Sequence, residues 1–312
     1  MKKNMTPTFK NILVPTDFSE PGSNALKIAI ELCKKHTAVL HLLYVVENRY
    51  IVTAPAPEIA MSALITEIDQ KARSRLYGEY ESIIKTHQIS VQIHMPTGIP
   101  YDEICQAASE MPIDLIVIGT HGASGINKSG MGTTAYGILK NCIKPVLTIP
   151  PNFEAWEFKK ILFPIRPVQG LKAKYEFLNT FLKNNDAAIH FATLCLEDED
   201  KEELLFNNKE ELYEFLAMQK NSNFSFNKKL YICKNYSEKV LLLSEILDVD
   251  LVVINSTFYY EWIQFMVGPF TQQVVNYSKV PVLSFRQGID IYNNHNKQKK
   301  QPELNKASLL QK

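Results

Sequence analysis

Residues 113–134 read IDLIVIGTHGASGINKSGMGTT. The first seven, Ile113–Gly119, are nearly all apolar and β-branched, the pattern of a strand buried on both faces. Glycines follow at Gly119, Gly122 and Gly132. Thr133 or Thr134 then supplies a candidate N-cap for a helix over Thr133–Ile143. A glycine-rich turn between a parallel strand and a helix N-terminus suits an anion. Bare backbone N–H groups can approach phosphate oxygens, and the helix dipole favours negative charge. Hydroxyls of Ser124, Ser129, Thr133 and Thr134 add donors. The competing reading is a glycine loop that holds no ligand.

Two other phosphate motifs are excluded. Gly122–Ser129 nearly spells a P-loop, but Asn127 occupies the place of the glycine required before Lys128. The first strand leads into no G-x-G-x-x-G turn, so the dinucleotide fingerprint is missing as well.

Outward from this stretch, short apolar runs alternate with helical patterns. Asn11–Pro15 reads NILVP. Glu20–His36 places Ala25, Ile28, Ala29 and Leu32 at helical spacing, and Val39–Val46 reads VLHLLYVV. A long helix is expected over Glu58–His87, a brief strand at Val91–Met95, a helix opening at Pro100, and a last strand in PVLTI at Pro145–Ile149. Continuous apolar strands alternating with helices predict a doubly wound α/β domain with a parallel sheet.

The order then repeats. Asn11–Pro15 matches Lys160–Pro164 at an offset of 149, and Asp114–Ile118 matches Asp250–Ile254 at an offset of 136. The second offset also places Pro145-Val146-Leu147 on Pro281-Val282-Leu283. A tandem pair that lost residues in its second middle region is the simplest account. The expected division is 1–150, 151–286 and a polar tail over 287–312, with the joint near Pro150-Pro151-Asn152. The tail's Asn, Lys and Gln content predicts disorder.

PTDFS at Pro15–Ser19, the Gly119/Gly122/Gly132-Thr133 spacing, Gly98-Ile99-Pro100 and Pro145-Val146-Leu147 together resemble the universal stress protein family. The resemblance is strong over residues 8–150 and weak over 156–286, as in the family's tandem form. It implies a five-stranded parallel sheet between helices in each half, and stress-related regulation rather than a metabolic reaction. In one subset of the family it also implies ATP, with or without Mg²⁺. By position, Pro15, Thr16 and Asp17 lie on the ribose and adenosine side, and Val45 offers its backbone to adenine. Ile118 and Gly119 flank the nucleoside, while Gly122, Gly132, Thr133 and Thr134 cradle the phosphates. Asp17 has a second reading as a turn cap before Ser19. The resemblance further implies that the last strands of the two halves, Val146–Ile149 and Val282–Phe285, meet edge to edge as a pseudo-dimer, with a homo-oligomer left open.

The second half departs from the pattern at nearly every ligand position. Arg166 replaces Asp17, Asn255 replaces Gly119, Phe258 replaces Gly122 and Pro269 replaces Thr133. The aromatic loop Phe258–Met266 would either fill the vacant cleft or form a contact surface. This half is therefore expected to bind no nucleotide.

Lys plus Arg is 34 and Asp plus Glu 33, giving a net charge of +1 and no general drive toward nucleic acid or membrane. The cysteines, Cys33, Cys105, Cys142, Cys195 and Cys233, are odd in number and contain no CxxC. A disulfide framework and a zinc site are not expected, and a reducing cytoplasm is. No catalytic residue is assigned, since no general base or metal cluster accompanies the loop. Three functions remain open: an ATP-binding regulatory protein, a slow ATPase or nucleotidyl-transfer enzyme, and a structural stress protein without nucleotide.

Overall fold

Apolar runs and helical stripes become a single layered α/β architecture in the computed structural model. It describes residues 9–47, 58–121, 130–165, 171–182, 186–197, 225–256 and 269–286. The strands are β1 (Asn11–Pro15), β2 (Val39–Leu43), β3 (Val46–Glu47), β4 (Val91–His94), β5 (Thr97–Gly98), β6 (Leu115–Gly119) and β7 (Val146–Ile149) in the first half. Those of the second half are β8 (Lys160–Ile165), β9 (Ala188–Leu196), β10 (Ser225–Cys233), β11 (Leu251–Ser256) and β12 (Val282–Arg286). The helices are α1 (Glu20–His36), α2 (Glu58–His87), α3 (Pro100–Glu110), α4 (Thr133–Asn141), α5 (Leu171–Leu182), α6 (Tyr236–Ile246) and α7 (Pro269–Tyr277).

Ten strands form one sheet in the order β10-β9-β8-β11-β12-β7-β6-β1-β2-β4. Each half is a five-stranded parallel sheet with the same internal order, so the fold is two tandem doubly wound units. The halves join where β7 and β12 run antiparallel, with Thr148 opposite Val282, Leu147 opposite Leu283 and Ser284 opposite Val146. The Thr148 hydroxyl donates to Val282 O at 3.2 Å. The pairing expected of the two final strands is thus present, and it leaves neither as an open edge.

Helix ends follow local chemistry. Ser19 caps α1 by accepting from Gly22 N at 3.2 Å, and Pro21 sits in the first turn, where a missing N–H costs nothing. Thr37 closes the helix in the left-handed region at φ 57°, and Ala38 N donates back to Cys33 O at 3.0 Å. Asn235 caps α6 by accepting from Ser237 N and Glu238 N.

Two apolar layers enclose the sheet. Ile12, Val14, Leu40, Val117, Leu147, Ile161, Phe181 and Leu283 belong to one, and Leu13, Ile116, Ile138, Val146, Leu162, Val252 and Val282 to the other. Both layers run through the two halves without a break. Each such side chain contributes roughly 1.5–3 kcal/mol by leaving water, so joining the halves adds to one core. The first layer is bridged by aromatic contacts: Phe9 of the first half packs on Phe177 and Phe181 of α5, and His36 Nε2 bonds Phe181 O at 3.1 Å.

The cysteines depart from expectation. Cys105 and Cys142 form a disulfide. They lie 37 residues apart, and only the side-by-side packing of α3 and α4 brings them together. Cys33, Cys195 and Cys233 are buried and take no part in that bond, and burial pushes the Cys33 thiol up to about 12. Among the described residues, no helix is long and apolar enough to cross a membrane.

Candidate functional site

In the first half, β1 and β6 are neighbours, and the chain leaves them in opposite directions, toward β2 and toward β7. The crevice outside their carboxyl ends is the switch point where open α/β sheets take ligands. Pro15 ends β1, Thr16 and Asp17 follow it, and Gly119 ends β6. These expected site residues therefore meet at one end of the sheet.

The turn after β1 is tightly built. Thr16 N donates to Leu43 O at 2.9 Å, which anchors it to β2. Asp17 is exposed, and its Oδ1 accepts from Ser19 N at 3.0 Å and from the Ser19 hydroxyl. The turn-cap role weighed for Asp17 is thus present in the structure. Between them Phe18 adopts φ 60°, unusual for a bulky residue, and its surroundings hold it there. Phe18 N donates to Thr16 Oγ1 at 3.1 Å. Arg75 of α2 donates to Phe18 O at 3.0 Å, and its guanidinium lies 4.5 Å from the Phe18 ring centre. Tyr44 stacks on the same ring at 5.0 Å. Sequence reasoning missed both Arg75 and Tyr44. Neither carries a local signal, because one lies far along a solvated helix and the other inside an apolar run.

Val45 is buried beside this turn, between β2 and β3. The apolar run read as one strand through Val46 is in fact interrupted. Tyr44 N bonds His94 O, and Val46 N bonds Pro96 O, because the chain leaves the main sheet to pair Val46 with Thr97.

Gly119 has a packing role. A Cβ there would lie 2.8 Å from Pro21 O and 3.0 Å from Pro21 C, so the end of β6 passes directly against the first turn of α1. Ile118 is buried in the strand just before it. Thr120 N donates to Ile149 O at 3.0 Å, and its hydroxyl bonds His121 Nδ1 at 2.9 Å, which fits His121 as a turn-shaping residue. Gly122 and the rest of 122–129, including Lys128, lie outside the described residues.

Where the chain returns, Gly132 N donates to Thr120 O at 2.8 Å, fastening the end of the loop to the end of β6. Gly132 is the N-cap of α4, with φ −60° and ψ 150° and no side-chain cap. Those angles suit any residue, so the backbone does not require glycine there. Its consequence is chemical: glycine brings no capping side chain of its own, and the first-turn N–H groups of α4 suit an outside acceptor. Thr133 is exposed and Thr134 half-buried in that turn. The structure therefore brings Pro15, Thr16, Asp17, Ile118, Gly119, Gly132, Thr133 and Thr134 to the carboxyl ends of β1 and β6, with Val45 at the end of neighbouring β2.

Comparison with known proteins agrees with this fold. The model of the universal stress protein family matches residues 8–150. Residues 8–150 are a universal stress protein domain. A universal stress protein of Methanocaldococcus jannaschii, MJ0531, is 29% identical over 147 residues, covering 47% of this chain and 85% of that protein. Universal stress protein Slr1230 of Synechocystis is 21% identical over 297 residues, covering 89% of this chain and 100% of that one. Among solved structures, a universal stress protein from Archaeoglobus fulgidus aligns with a TM-score of 0.67 at 18% identity. It covers 89% of this chain and 98% of the other, a likeness of fold across both halves.

The equivalent end of the second half differs. Asn255 stands in the place of Gly119 on β11, and its carbonyl accepts from the Thr271 hydroxyl at 3.4 Å. Pro269 opens α7 where Thr133 opens α4, and supplies no N–H. Arg166 and the aromatic stretch Phe258–Met266 lie outside the described residues.

Proposed function

We propose that this chain is a regulatory universal stress protein that binds one adenine nucleotide, ATP, in its first half. The observation that carries the reading is the meeting of the uncapped α4 N-terminus at Gly132 with the Asp17 turn across the β1–β6 switch point. The helix end presents N–H donors and a positive partial charge suited to phosphate. Asp17 suits ribose hydroxyls, because a carboxylate offers several acceptor lone pairs. Val45, Ile118 and Gly119 provide the apolar walls and backbone for the base, and Gly122 joins the phosphate cradle. Among the described residues no group of three or more His, Cys, Asp or Glu side chains is placed to hold a metal. In this reading Mg²⁺ enters as the companion of the phosphates, the mode in which it keeps most of its own waters.

The regulatory reading is favoured over the enzymatic one because donors and walls are present without an assigned base. Turnover of ATP is then of the order of minutes or longer, against an enzyme median of about 10 per second. In the division 1–150 and 151–286, the second unit binds no nucleotide and serves as a permanent partner.

Gly132→Val tests the reading. Its backbone angles accommodate valine, so the chain should still fold, with a loss of at most about 2 kcal/mol for the poorer N-cap, while the side chain blocks approach to the α4 N-terminus. Binding of ATP should weaken at least tenfold, as should binding by Asp17→Ala. Unchanged affinity in a folded Gly132→Val protein would refute the assignment.

A further inference from the structure

The base of the glycine loop is held by the other half of the chain. Met131 N donates to Oδ1 of Asn276, a residue of α7, at 2.8 Å. The next amide, Gly132 N, is taken by Thr120 O of the loop's own strand. At the far end of α4, Arg286 of β12 donates to Asn141 O at 2.9 Å. The second half therefore contacts α4 just before its N-cap and again at its last residue.

These contacts run in one direction. At the offset of 136 that relates the two halves, Asn276 corresponds to Lys140 and Arg286 to Pro150. A lysine side chain cannot accept from an N–H group, and proline has no side-chain donor, so the first half cannot return either contact. A symmetric pair of domains would carry both contacts twice. Here the half without the glycine set supplies the holding groups, and the half with it receives them.

We infer that Asn276 is a positioning residue: through it the second half sets the conformation of the loop base and so the affinity of the first half's anion site. The affinity consequence rests on the proposed nucleotide reading, whereas the holding of Met131 does not. By linkage, a nucleotide that tightens the loop base also tightens the α7 contact, and any partner that displaces α7 weakens the nucleotide.

Asn276→Ala and Asn276→Asp in the full chain, read by amide hydrogen exchange and by ligand titration, test this. In Asn276→Ala, exchange at Met131 should accelerate while the amides of Val117 and Leu147 keep their protection. Loss of one such bond corresponds to a three- to tenfold weaker affinity for ATP, about the net worth of a single hydrogen bond. Asn276→Asp keeps an acceptor oxygen at the same position. It should restore protection at Met131 and binding of uncharged adenosine, while its added charge opposes ATP. A purely structural role would lower protection throughout and would not separate adenosine from ATP. Unchanged Met131 exchange in a folded Asn276→Ala protein overturns the inference. If the wild-type chain binds neither ligand, the nucleotide reading fails, and the exchange measurement alone decides whether Asn276 holds the loop.

Discussion

Replacing Gly119 by alanine should destabilise the protein through a single contact. The added methyl would sit 2.8 Å from Pro21 O, 3.0 Å from Pro21 C and 3.3 Å from His121 O. All three are backbone atoms, so no flexible side chain can move aside. Either the end of β6 or the first turn of α1 must shift by about half an ångström, and overpacking of this kind costs about 1–3 kcal/mol. For a chain of this size each kcal/mol lowers the melting temperature by about 1.5 °C, so a fall of about 1.5–5 °C is expected. The control is Gly78→Ala. Gly78 lies within α2 with nothing within 4 Å of its would-be Cβ, and alanine there should stabilise by about 0.5–1 kcal/mol through helix propensity. Thermal and urea melts of both variants against wild type read the two effects with opposite sign. The reasoning is refuted if Gly119→Ala melts with wild type while Gly78→Ala shows its expected gain. The same shift should weaken ATP binding, because Gly119 ends the strand from which the glycine loop departs.

Three further outcomes are expected. His41 Nδ1 and His94 Nε2 bond at 3.0 Å, and His41 Nε2 bonds Asn11 Oδ1, also at 3.0 Å. Burial, with the charge of His94, lowers His41 to about 4, and burial lowers His94 too. Both rings are neutral in the fold and protonate more readily unfolded, near pH 6.5. Stability should be full above that value and fall as the pH drops toward 4, and the urea midpoint of His41→Gln should decline less over that window. Reducing Cys105–Cys142 should cost about 2–4 kcal/mol, given the 37-residue separation. A Cys105→Ser, Cys142→Ser double variant should be insensitive to reductant, and equal wild-type midpoints with and without reductant would count against this. Cysteines at Val146 and Ser284, directly opposite across β7 and β12, should crosslink within one chain, and failure to do so in folded protein would contradict the antiparallel junction.

How much of this was legible in the sequence depends on the range of the forces involved. The bounds of α1 were readable because Ser19, Pro21 and the lysines before Thr37 act locally. The parallel cores of β1 and β6 were readable because burial on both faces leaves an unbroken apolar run. The end of β2 was not, since VLHLLYVV carries no mark where Val46 turns away to pair with Thr97. The meeting of the last strands was foreseen, yet its register was not. Thr148 faces Val282, and Ser284 faces Val146, because register depends on how two complete domains dock. The candidate site was legible as Asp17 and the glycines, whose chemistry is local. The groups that hold it, namely Arg75 on Phe18 and Asn276 on Met131, join residues 57 and 145 positions apart, and only folding reveals them, as it does the Cys105–Cys142 bond.

Titration calorimetry of ATP into the intact chain tests the central claim most directly. One nucleotide per chain is expected, with that site lost in Gly132→Val and retained when Asn255 in the second half is replaced by alanine. No binding, or two equivalent sites per chain, would contradict the account.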